Sequence, residues 1–139
     1  MKVDLETMRG FFALAPFMVD LGVEVTAVDE GRVSTQIALA ERHLQHTGQA
    51  HAGVTATLAD HSMGAAAQTL AADGFWVVTA ELKTSLLRAA KGERLVCEAH
   101  VIKPGRQLSF TEAEVWAESE GRRVLVAKAS ATMALVART

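Results

Sequence analysis

One cysteine in 139 residues leaves nothing for a disulfide framework and no cysteine-based zinc site within a single chain. Cys97, inside a strand-like stretch, is expected to be a buried bystander. No sign of charge prevails: 14 basic residues stand against 16 acidic ones, interspersed, for a net charge of -2. That balance gives no broad positive field, so no nucleic-acid partner is expected. No basic start leads into a long apolar stretch, and Asp4, Glu6 and Arg9 fall close to the beginning, which argues against a secretory leader. The apolar-rich run at 50–72 is interrupted by Asp60, His51, His61, threonines and glycines, which argues against a membrane span. His43, His46 and His100 have no metal-like spacing with carboxylates, so neither a metal nor a cofactor is expected. Linkers, internal repeats and low-complexity segments are lacking too. What remains is one domain over residues 1–139, with 50% apolar residues for a real core, expected in a reducing, cytoplasmic compartment.

Asp4 is placed to cap a first helix running to about residue 15, with Leu5, Met8, Phe11 and Phe12 at helical spacing and Pro16 stopping it. Residues 23–28 and 32–39 alternate as two strands joined by a turn at Asp29-Glu30-Gly31, with Val33, Thr35, Ile37 and Leu39 on one face. A polar loop follows through Gly48. From 52 to 72 a proline-free stretch rich in alanine and leucine predicts the one long helix, ended near Asp73-Gly74. Beyond Gly74, β-branched and alternating residues predict strands at 76–87, 94–103, 107–118 and 122–136. Turns at Ala90-Lys91-Gly92, Pro104-Gly105 and Ser119-Glu120-Gly121 separate them. Connections this short favour antiparallel neighbours, so a four-strand meander is expected to complete an α+β fold in which one helix covers a sheet of about six strands.

The long helix carries little side chain. Ala56, Ala59, Gly64, Ala65, Ala66 and Ala67 permit close approach of a wrapped sheet or of a second helix. From Gln49 to Ala72 the only formal charge is Asp60, which by helical angle shares its side with Ala56, Met63, Gly64 and Ala67, across from Val54, Leu58 and Ala65. An ionised carboxylate in an apolar setting costs several kcal/mol, comparable with the stability of a small domain. Asp60 is therefore expected to be hydrogen-bonded, paired or functional.

Gly48, then His51-Ala52-Gly53, then Asp60 nine residues after the histidine, followed by Val77-Val78-Thr79-Ala80-Glu81-Leu82 and by Lys103-Pro104-Gly105-Arg106, form a recognisable series. Over nearly the whole chain it resembles the hotdog-fold acyl-CoA thioesterases, above all the phenylacetate-type (PaaI-like) group. The resemblance implies a long central helix wrapped by an antiparallel sheet of about six strands, hydrolysis of acyl-CoA to free acid and CoA, and self-association as a homodimer or as a dimer of dimers, a homotetramer. It implies Asp60 as the catalytic acid, His51 as a brace for the loop, Thr79 as a holder of water and Gln45 as an aid at the thioester. Gly48, Met63 and Gly64 would lie beside the substrate, and Arg88, Lys91 and Arg106 where the family's nucleotide binds, as phosphates favour. Two residues depart from the family pattern. Ala52 stands where glycine is usual, which narrows the pocket without removing a backbone donor, and Gln45 stands where asparagine is usual, keeping an amide on a longer arm.

Thioester hydrolysis needs donors for the developing oxyanion and a nucleophile or base beside the carbonyl carbon. Unsatisfied N–H groups at the helix start, around Ala52 and Gly53, carry the positive end of the helix dipole. Asp60 supplies either the nucleophile or the base, and the residues leave that choice open. Eight residues of helix separate Ala52 from Asp60, about 12 Å, too far for both to touch one carbonyl. Two such helices antiparallel about a two-fold axis would bring Asp60 of one subunit near Ala52 of the other. His61, about 100° round the helix from Asp60, is not expected to partner it. Two other readings stay open: an acyl-thioester dehydratase or hydratase, which needs a paired histidine and acid, and a non-catalytic acyl-CoA-binding module, which would need a further element to pass a signal on.

Overall fold

Asp4 accepts a hydrogen bond from the Thr7 N–H at 2.7 Å, and this cap starts α1 (Leu5–Ala13) in the computed structural model, which describes residues 1–139. Pro16 does more than stop that helix. It opens a second one, α2 (Pro16–Leu21), absent from the sequence-based expectation. The N–H that proline lacks is one that a first helical turn leaves unsatisfied in any case, so proline begins a helix as readily as it ends one. β1 (Val23–Asp29) and β2 (Arg32–Ala38) form the expected hairpin.

The long helix, α3 (Ala52–Gln68), stops short of residue 72. Thr69 is the cause: its hydroxyl donates back to Ala66 O at 2.7 Å and accepts the Gly31 N–H at 2.8 Å, so the chain leaves the helix tied to the turn between β1 and β2.

β3 (Phe75–Leu86), β4 (Arg94–Lys103), β5 (Leu108–Ser119) and β6 (Arg122–Ala137) complete a six-stranded antiparallel sheet of order β1-β2-β4-β5-β6-β3. The expected four-strand meander is thus corrected to three. β4, β5 and β6 follow one another, but β3 lies at the far edge against β6, and β2 takes the place beside β4 with pairing from Arg32↔His100 to Ala38↔Arg94. Loop length misleads here because the sheet curls around α3 and a short connector crosses the end of the curl. On that crossing the Leu87 and Arg88 N–H groups donate to Val126 O, and Ala90 O accepts the Ala50 N–H.

A cluster of 25 buried apolar residues fills the space between sheet and helix, with Leu58, Ala59, Met63 and Ala66 of α3 fully covered. The small residues let the sheet approach closely, and one polar contact lies within that packing. Thr35 Oγ1 of β2 and Ser62 Oγ of α3 share a buried hydrogen bond of 2.7 Å, and the Cys97 thiol of β4 sits beside them, pushed up to about 12 by burial. α1 closes the open side of the curl. Arg9 Nε donates to Val25 O of β1 at 3.3 Å, Phe12 meets the His61 ring edge-on at 4.6 Å, and Phe11 stacks on Trp76 of β3 at 6.2 Å. The first helix therefore bridges the two edge strands across α3.

Candidate active site

Sequence places a histidine at the mouth of α3, and the structure uses it as a cap. His51 Nδ1 accepts the Gly53 N–H at 2.8 Å, and the His51 N–H donates to His43 O at 2.9 Å. His43 is itself buried and spent on structure, with Nδ1 accepting the Ala40 N–H and Nε2–H donating to Leu21 O. The expected pair of free donors is thus reduced to one. Gly53 gives its N–H to His51, whereas the Ala52 N–H has no acceptor in the chain.

The preceding turn is closed by the Gly48 N–H donating to Gln45 O at 2.9 Å and the Gln45 N–H donating to Gln49 O at 2.8 Å, with Gly48 at φ 85° where a side chain would be strained. It aims Gln45 into a cleft of about 360 Å³ that also receives Ala52, Gln49, Thr55, Leu87 and Arg88. Three residues marked by sequence, Gln45, Ala52 and Arg88, therefore share one cleft, and Arg88 is held at its rim by donating to Leu125 O at 3.1 Å. Gln49 and Thr55 were missed. Thr55 lies one turn beyond Ala52 on the same side of α3, and that spacing was the available signal.

Asp60 lies outside this cleft. Thr79 Oγ1–H donates to Asp60 Oδ1 at 2.6 Å, so its proton is aimed at the carboxylate and its oxygen keeps acceptor sites for a water. Strand alternation puts Thr79 on the α3 side of β3 together with Phe75 and Val77, and a bulge follows it, with Ala80 left unpaired before Glu81. No cation pairs with Asp60. By helical angle Met63 and Ala67 do share the side of Asp60, but both are buried under the sheet, so Met63 belongs to the core and not to a substrate surface. Gly53, Ala56, Thr57, Asp60 and Gly64 form the accessible stripe, because the curled sheet reaches further round the helix than an angular plot suggests. Lys91 and Gly48 border a separate groove with Leu39 and Glu41, and Arg106 stands in the turn between β4 and β5, so neither cation is brought to the main cleft.

His61 is directed away from Asp60 into the aromatic contact with Phe11 and Phe12, and its buried Nε2 has no partner. Burial pulls its pKa below the ordinary 6.5, and the neighbouring Asp60 charge offsets only part of that. The native state favours the neutral ring, so this group costs no stability above pH 6.5 and increasingly costs stability as pH falls from there through the lowered native value. His61→Leu should therefore lessen the loss of stability on acidification, read from denaturant midpoints at about pH 7.5 and about pH 5.5. An unchanged slope would place the acid sensitivity elsewhere.

No group of three or more His, Cys, Asp or Glu side chains is arranged to hold a metal ion, and no helix is long and apolar enough to cross a membrane.

Residues 47–124, the span that contains His51, Ala52, Asp60 and Thr79, match the Thioesterase superfamily. Human acyl-coenzyme A thioesterase 13 is 29% identical over 105 residues, covering 73% of each chain. A thioesterase family protein from Silicibacter pomeroyi superposes with a TM-score of 0.92 at 32% identity, over 96% of this chain and 98% of that one. The E. coli PaaI protein of the phenylacetic acid degradation operon superposes with a TM-score of 0.81 over 98% and 99% of the two chains, and at 19% identity shares the fold alone. Fold and family agree, and the chain belongs to the thioesterase superfamily as a hotdog-fold thioester hydrolase.

Proposed function

We propose that the chain hydrolyses acyl-CoA thioesters to free acid and CoA, in a homodimer whose two active sites are each shared between subunits. The observation that carries this reading is the separation of two complementary groups on one helix. The Ala52 N–H, free to stabilise an oxyanion, and the Asp60 carboxylate are about 12 Å apart along α3, and both belong to its accessible side. Antiparallel pairing of two α3 helices over the small stripe Gly53, Ala56, Thr57 and Gly64 would set each Asp60 against the other subunit's Ala52. The free edge of β3, with Val78, Leu82 and Leu86 exposed along it, supports a second copy there. Exposed Leu108, Phe110 and Val136 on β5 and β6 offer apolar surface for pairing such dimers into a homotetramer.

In this reading the Ala52 N–H and the Gln45 amide polarise the thioester carbonyl. Asp60 then either attacks the carbonyl carbon, expelling CoA thiolate and leaving an anhydride for water to hydrolyse, or takes a proton from the attacking water. Thr79 fixes one carboxylate oxygen, which orients the other, and His51 fixes Gly53 so that Ala52 is presented. Similarity to acyl-coenzyme A thioesterase 13 supports CoA as the thiol, and a single buried cysteine suits a cytoplasmic setting. Release of thiol from a panel of aryl-acetyl, hydroxyaryl and aliphatic acyl-CoAs tests it. Tight binding of acyl-CoA with no thiol released would overturn it.

Exposed Arg88, Lys91 and Arg106 are proposed to meet the phosphates of CoA, the only highly charged part of such a substrate. Neutralising them should raise KM for acyl-CoA with little change in kcat, and should matter less for a short thioester without the nucleotide. Equal losses on both substrates would move these residues out of nucleotide binding.

A further inference from the structure

Gln68, the last residue of α3, is buried, and both ends of its amide are engaged. Nε2–H donates to Phe75 O at 3.0 Å, and Oε1 accepts the Val77 N–H at 3.0 Å. Phe75 O and Val77 N face away from β6. The Arg138 N–H reaches Gly74 O from the β6 side, and main-chain groups alternate sides along a strand. The glutamine amide thus stands where a neighbouring strand would be, and couples the end of α3 to the start of β3.

Two residues further along β3 is Thr79, and two helical turns back along α3 is Asp60. The spacing between helix and strand at this end sets whether the Thr79 hydroxyl reaches the carboxylate. Just past Thr79 the bulge breaks the register with β6, so β6 alone does not fix the strand through this point. We propose that Gln68 is a positioning residue for catalysis, holding β3 on α3 so that Thr79 donates to Asp60. This rests on the reading of Asp60 as the catalytic carboxylate.

Gln68→Met keeps length and volume and removes both hydrogen bonds. It should lower kcat by about 10-fold with KM within about twofold, since a small displacement of an orienting group acts on the chemical step. In a Thr79→Val background the same substitution should change kcat by less than about twofold, because the group that Gln68 positions is already gone. Equal losses in both backgrounds, or no loss in the first, would overturn the proposal, since a merely structural role does not depend on Thr79. Should Gln68→Met fail to fold, Gln68→Glu goes through the same cycle; it keeps an acceptor for the Val77 N–H and loses the donor to Phe75 O. Asp60→Asn separates the two ideas. Retained kcat there fells the reading of Asp60 and this proposal with it, whereas a dead Asp60→Asn together with an additive cycle fells this proposal alone.

Discussion

Asp60→Asn is expected to lower kcat by at least ~100-fold while acyl-CoA still binds, the scale of losing a positioned acid–base group or nucleophile. The substitution keeps the shape and leaves an oxygen for the Thr79 hydroxyl, so the 2.6 Å contact has a neutral acceptor in place of a charged one. No cation pairs with Asp60, so nothing is left unpaired by the change, and stability should hold or rise. Near-normal kcat in a correctly folded variant would remove Asp60 from the mechanism.

Ala52→Pro should be equally damaging to turnover and nearly silent in stability. Ala52 is the first residue of α3, where proline is well accepted, and His51 before it sits at φ -61° and ψ 140°, a conformation that suits the residue preceding proline. The change removes one N–H, the donor left without an acceptor. Loss of an oxyanion donor costs roughly 100- to 1,000-fold in kcat, whereas Ala52→Gly, which keeps the N–H, should remain active. The two inactive chains also test the shared site. An equal mixture of Asp60→Asn and Ala52→Pro subunits should recover about a quarter of wild-type activity, because half of the dimers are hybrids and each hybrid holds one intact site. No recovery after demonstrated subunit exchange would sink the shared site and leave the separate role of Asp60 standing.

Asp60 could be found from sequence because it is a lone charge in a neutral run, and charge is local information. The strand order could not be read in the same way. The connector between β3 and β4 has the length of a neighbour's loop, yet it crosses a curled sheet, and curl is a property of the whole packing. Thr79 was marked through family resemblance, but its direct donation to Asp60 depends on how closely β3 lies against α3, which no residue announces. Met63 shows the reverse error: its helical angle near Asp60 was right, and its burial depended on how far the sheet wraps. At the helix mouth, the sequence could count N–H groups, but only the orientation of the His51 ring decides which one remains free. Within the chain neither His51 nor His61 is hydrogen-bonded to Asp60, the first being spent on Gly53 and the second on the aromatic contact with Phe12.

The covered thiol of Cys97 has a practical side. Turnover of this enzyme is read from the thiol that hydrolysis sets free, and a protein thiol that reacted with the same reagent would blur the count. With its pKa pushed up to about 12 and its sulfur sealed beneath the helix, Cys97 is silent in the folded state. Burial keeps it a thiol and not a thiolate at the mildly alkaline pH of such an assay. Reagent uptake at one equivalent per chain then becomes a clock for the sheet coming away from α3, recorded in the same cuvette as catalysis and separable from it by the absence of substrate.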